Sequence, residues 1–196
     1  ISGNLYLYSG VNIFTSLREG LFQVVSIITT TGYATADFNV WHPFSRTLLF
    51  LLMFAGGSGG STAGAIKQIR LLILLKYIYR ELYKIVQPAA VIPIKIGKKI
   101  IPEQLVSNTL SFLALYLLIF ISSSLIMSTF GLDMVSAFSS VAATLGNVGP
   151  GLEMVGPTNT YSEIATLGKI ILSFLMMLGR LEIFTVVVLL LPTYKN

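Results

Sequence analysis

The stretch TTTGYATADF, Thr29 to Phe38, follows an apolar run and sets three consecutive threonines before Gly32 and Tyr33. Hydroxyl-bearing, β-branched residues in a row suit neither a helix interior nor an ordinary turn. The run in front of them, Leu21 to Ile28, is too short to cross a bilayer, which takes about 20 residues. The pattern from Phe14 to Ile28 is helical, so the threonines sit where a re-entrant or buried helix ends. Irregular backbone at that depth is tolerated only where protein encloses it or where it lines a watery cavity.

The rest of the chain supports a membrane setting. Of 196 residues, 54% are hydrophobic and 11% charged, against about a quarter charged in a soluble domain. The mean hydropathy is +0.81. The absence of cysteine excludes disulfides and thiolate metal sites, and the single histidine, His42, excludes a multi-histidine centre. The chain begins at Ile1 without a basic leader, and the expectation is a fragment or a partly resolved chain. Eight of the thirteen basic residues lie between Lys67 and Lys99 with one acid, Glu81, among them. Basic residues beside apolar spans mark the cytoplasmic side rather than a nucleic-acid patch, so residues 67–99 and the C-terminus are expected inside the cell.

Residues 1–12 read as an outer lead-in. An apolar segment from Thr47 to Ala55 runs into GGSGGSTAG, Gly56 to Gly64, and apolar sequence resumes through Val86. The proline- and glycine-bearing residues 88–103 form a connection. Leu105 to Phe130 is an uninterrupted span, Asp133 caps a short helix from Met134 to Ala143, and Ile164 to Leu191 is a span interrupted at Gly179-Arg180.

The order of elements repeats. Arg46 to Gly56 can be laid over Lys169 to Gly179, with methionine on methionine and glycine on glycine. Upstream, Thr30-Thr31-Gly32-Tyr33 matches Asn147-Val148-Gly149-Pro150. Each copy reads as short helix, glycine-bearing loop and broken span, and the second has a full span in front that the first lacks. Such loops present backbone carbonyls that can replace a cation's hydration shell. Glycine permits the left-handed backbone this requires, and the short helix turns its negative end toward the ion.

QVVSIITTTGYATADF (Gln23 to Phe38), FAGGSGGSTAGAIK (Phe54 to Lys67), GNVGPG (Gly146 to Gly151) and GRLEIFT (Gly179 to Thr185) together resemble the C-terminal half of the ion-translocating subunits of the Trk/Ktr/HKT potassium uptake superfamily. The resemblance implies an all-α membrane protein of the plasma membrane, built from helix, re-entrant pore helix, filter loop and broken helix units. Residues 1–103 would be the third unit, without its first helix, and 104–196 the fourth. Thr30, Thr31, Gly32, Asn147, Val148 and Gly149 would bind potassium in the filter, facing outward. Gly56, Gly57, Gly59 and Gly60, with Arg180, would gate the path. The resemblance further implies the missing N-terminal repeats, a homodimer, a cytoplasmic nucleotide-binding regulatory subunit and membrane lipid as partners. It implies no enzyme activity and no organic cofactor.

The residues themselves support parts of this. Five glycines in the nine residues Gly56 to Gly64 break a helix, since each costs about 1 kcal/mol there relative to alanine. An arginine within a span, as Arg180 is, needs a wet cavity or a partner, and Glu182, two residues on, faces another side of the helix. Asp37 and Glu153 follow the loops and read either as acids concentrating cations or as solvated loop acids. A sodium-permeable or ion-coupled secondary transporter remains the alternative.

Overall fold

The computed structural model describes residues 1–58, 61, 64–88, 90–181 and 183–190. Eight helices carry the described fold: α1 (Ser2–Ser9), α2 (Ile13–Ile28), α3 (Pro43–Leu52), α4 (Gln68–Val86), α5 (Glu103–Thr129), α6 (Met134–Leu145), α7 (Thr166–Arg180) and α8 (Ile183–Leu190). Two two-residue strands, β1 (Lys95–Ile96) and β2 (Lys99–Ile100), pair antiparallel between α4 and α5. The connection expected at 88–103 therefore holds a small hairpin, turned at Gly97 with φ 58°.

Among the described residues α5 is the one helix long and apolar enough to cross a membrane. Its 27 residues rise about 40 Å. The 12 residues of α6 rise about 18 Å, well short of a hydrocarbon core of about 30 Å. α6 is nonetheless the centre of the fold, with Ser136, Ala137 and every residue from Ser139 to Leu145 buried between α5 and α7. Its serines, threonine and alanines allow that close approach, as small residues do wherever helices pack in membranes. Their hydroxyls are satisfied locally: Thr144 donates to the Ser140 carbonyl at 2.7 Å and Ser140 to Ala137 at 2.9 Å. The helix starts on Asp133, whose carboxylate accepts from the backbone of Val135 and Ser136, as the sequence leads one to expect.

The outer lead-in expected over residues 1–12 is instead the helix α1, packed on α2 with Gly20 against Ser2. α1 ends at Gly10, in the left-handed region at φ 62°, and Asn12 caps α2. α5 is followed in the same way by Gly131 at φ 84° and by the cap Asp133. α1 thus stands to α2 as the last turns of α5 stand to α6. Mixed polar and aromatic residues concealed this, because an eight-residue helix whose faces differ little leaves no periodic signal.

On the other side, α4 is tied to the start of α5. Arg80, only 6% exposed, pairs with Glu81 at 3.1 Å and with Glu103. Arg70 lies 3.9 Å over the ring of Phe112.

Candidate functional site

The two glycine-bearing loops have the same backbone. Where α2 ends, the N–H of Thr30 donates to the Ile27 carbonyl at 3.0 Å, Thr31 to Ser26 at 2.9 Å and Gly32 to Ser26 at 3.4 Å. Where α6 ends, Asn147 donates to Thr144 at 3.0 Å, Val148 to Ala143 at 2.8 Å and Gly149 to Ala143 at 3.4 Å. Every donor and acceptor is displaced by 117 positions. The dihedral angles follow: φ is 54° at Thr30 and 79° at Gly32, and 53° at Asn147 and 109° at Gly149. A non-glycine residue with positive φ is uncommon and costly, and here it occurs twice at one step of a repeated loop.

This geometry sorts the polar groups. The N–H groups turn back onto the last carbonyls of their own helix, and the carbonyls are left facing away. Among the described residues the carbonyl oxygens of Thr30, Thr31, Gly32, Asn147 and Val148 accept no hydrogen bond. The hydroxyls are more occupied: Thr29 donates to Val25 at 2.7 Å, and Thr29 and Thr31 share a hydrogen bond of 2.8 Å. The Asn147 amide donates to the Met176 carbonyl of α7 at 3.1 Å. What these loops offer is backbone oxygen.

The loops also meet. A Cβ built on Gly149 would lie 3.9 Å from the Cα of Gly32, and one built on Gly32 would overlap the Val148 carbonyl. Residues some 117 positions apart are thereby brought side by side. Each loop is held from behind by its helix: the Gln23 amide, oriented as its surroundings require, accepts from Thr35 at 2.9 Å and Ala36 at 3.3 Å. At nearly the same place in the second copy, Ser139 accepts from the Leu152 N–H at 3.0 Å.

Asp37 and Glu153, expected as mouth or solvated acids, make contacts that link the two copies, and Glu153 stays exposed. Asp37 caps the short helical turn Phe38–Val40 by accepting from Asn39 at 2.9 Å, and accepts the Thr158 hydroxyl at 3.3 Å. Glu153 pairs with Arg46, and its backbone N–H donates to the Asn39 side chain at 2.9 Å. Both acids bind one copy to the other.

Beneath the second loop lies the glycine-rich segment. α3 stops at Leu52, and the chain turns back so that Gly56 donates to Ile66 at 2.9 Å and Ile66 to Phe54 at 3.0 Å. Gly56 is buried against the Gly64 carbonyl, and Gly64 against Gly146 and Asn147. Gly57 continues the outgoing segment, its carbonyl accepting from Gln68 at 3.2 Å. Gly59 and Gly60 lie outside the described residues, as do Glu182 and the C-terminal residues from 191. Arg180 ends α7 directly below, beside Gly179, whose Cβ would overlap the Leu145 carbonyl at the end of α6. Sequence reasoning named Gly179 as a break in its span and Gly64 and Gly146 as parts of motifs, but none of the three as a point of close approach. Their signal is weak, since a glycine required by close approach looks like any other.

A family model described as TrkH, cation transport protein, matches residues 8–195. The chain belongs to the TrkH family. The Trk system potassium uptake protein TrkH of Halomonas elongata is 42% identical over 193 residues, covering 98% of this chain and 40% of that protein. TrkH of Escherichia coli K12 is 41% identical over 187 residues, covering 93% and 38%. The crystal structure of the potassium transporter TrkH from Vibrio parahaemolyticus matches with a TM-score of 0.91 at 38% identity, over 100% of this chain and 42% of that one. The chain therefore spans about two fifths of the length of its TrkH relatives. An all-α membrane protein is what the sequence implied, and a family of cation transport proteins rather than of catalysts is where it falls.

Proposed function

We infer that this chain supplies two neighbouring quadrants of a potassium-selective filter, residues 1–103 contributing one pore unit and 104–196 the next. One observation carries the reading: two loops with the same hydrogen-bond pattern touch, and the carbonyls of Thr30, Thr31, Gly32, Asn147 and Val148 accept no hydrogen bond among the described residues, while that of Gly149 accepts from the Tyr161 hydroxyl at 2.8 Å. Carbonyls so held can stand in for the hydration shell of a cation without reorganising. Two quadrants do not enclose an ion, so the remaining two come from sequence outside this chain. Potassium is the ion because the relatives are named for its uptake.

Arg180 and the described glycines of the broken segment, Gly56, Gly57 and Gly64, lie below the filter on the cytoplasmic side. The segment obstructs the path and moves in gating, and Arg180 opposes cations there. In this reading the basic residues 67–99 face the cytoplasm and the filter loops face out. A second copy and a nucleotide-binding regulatory subunit complete the assembly, in line with the superfamily resemblance.

The test is isotope flux by the complete protein in liposomes. Labelled potassium uptake that unlabelled potassium suppresses far better than sodium, and that needs no second ion gradient, is expected. Flux that stops without a proton or sodium gradient would favour the ion-coupled reading. Equal suppression by sodium would overturn potassium selectivity.

A further inference from the structure

Between α4, α5 and α7 is a cavity of about 280 Å³ that shares Arg180 with the ion-path reading but is also lined by Lys67, Arg70 and Tyr116, to which that reading gives no role. Lys67, Arg70 and Arg180 line it, and among the described lining residues there is no carboxylate. These cations have contacts of their own within the protein. Even counting Glu182, two residues from Arg180, against the three, two positive charges remain on a wall otherwise formed by groups such as Phe112 and Ile183. That excess of positive charge favours an anion in the cavity.

Two further features point to a ligand. Tyr116, 1% exposed, belongs to the same wall, and its buried hydroxyl has no hydrogen-bond partner. Buried hydroxyls are ordinarily satisfied, and an acceptor in the cavity would relieve this one. The N-terminus of the 19-residue helix α4 also opens there, starting on Lys67 with no side-chain cap. The positive end of a helix favours anions. Arg70 is held in place by the Phe112 ring at 3.9 Å, and a guanidinium so held can fork onto two oxygens of one anion.

We propose that this cavity is a binding site for a phosphate-class anion, held by Lys67, Arg70 and Arg180 with the Tyr116 hydroxyl donating to it. The group is either free phosphate or the headgroup of an anionic phospholipid. The site does not depend on the ion-path reading, because its test reads binding and not flux.

The complete protein in detergent is titrated with inorganic phosphate at constant ionic strength, following its thermal unfolding, alongside Tyr116→Phe and the double variant Lys67→Gln/Arg70→Gln. In parallel, each protein is taken from phosphatidylglycerol or phosphatidylcholine vesicles and its retained lipid is measured by native mass spectrometry. If the source is free phosphate, it raises the melting temperature of the wild type. Tyr116→Phe, which keeps the ring and the packing, then weakens that binding about tenfold or more, as loss of a hydrogen bond to a charged group does, and the double variant abolishes it. If the source is lipid, phosphate gives no shift, whereas phosphatidylglycerol stays on the wild type and is lost from both variants. Phosphate and phosphatidylglycerol binding that is absent, or equal in wild type and Tyr116→Phe, would overturn the proposal.

Discussion

Gly179→Ala and Gly168→Ala change the same helix, α7, by the same methyl group, and the structure gives them different outcomes. Neither glycine has a positive φ, so alanine gains about 1 kcal/mol of helix propensity at each. At Gly179 the new Cβ overlaps the Leu145 carbonyl oxygen, lies 2.9 Å from the carbonyl carbon and 2.7 Å from the Asn147 amide nitrogen. Carbon–carbon contacts settle at about 3.5–4.0 Å, so α7 must withdraw by up to about 1 Å from backbone that cannot yield. Overpacking of this kind costs about 1–3 kcal/mol. The Asn147–Met176 hydrogen bond, worth about 1 kcal/mol, is strained with it. After the propensity gain, Gly179→Ala is destabilising by about 1–3 kcal/mol. At Gly168 the neighbours are side chains, Ile164 at 2.8 Å and the Met127 methyl at 3.2 Å. These can adjust, so that variant should stay within about 1 kcal/mol of wild type. Thermal unfolding of the complete protein checks the ranking, and liposome flux checks whether withdrawing α7 disturbs the loop that Asn147 anchors. A Gly179→Ala protein as stable as Gly168→Ala, with unchanged flux, would refute the close packing of α7 on the end of α6.

Gly32→Ala combines left-handed strain of about 1–2 kcal/mol with overlap on the Val148 carbonyl. It should reduce potassium-over-sodium preference in competition flux at least tenfold. Arg180→Ala should raise cation flux in liposomes at equal protein level, and shortening Gly56 to Gly64 should raise potassium flux and weaken its dependence on any regulator. Asp133→Ala should cost about 1 kcal/mol as a lost helix cap, while Asp133→Asn retains most of it. The Ser136 side-chain hydrogen bond, with backbone N–H groups of Ser136 and Val135, holds the Asp133 carboxyl below its ordinary range. Its contribution is therefore complete at neutral pH and is lost as pH falls from about 4 through the lowered value. Asp133→Asn removes that acid dependence, as unfolding measured against pH would show.

Much of this protein is written locally. Apolar run length separates α5 from the sub-spanning α2 and α6, because a bilayer sets a length that sequence either meets or does not. The helix breaks at Met53 and Leu181 follow from glycine clusters and a charged residue in apolar surroundings. The kinship of Thr30-Thr31-Gly32 with Asn147-Val148-Gly149 is visible from order alone. Other features exist only in three dimensions. That the two loops touch, that Glu153 and Asp37 link the copies, and that Gly64, Gly146 and Gly179 admit neighbouring backbone all depend on residues far apart in the chain. A sequence states what each segment can do with its own backbone. Which carbonyl meets which glycine is decided by packing, and that decision sets the Val148 carbonyl of one loop against Gly32 of the other.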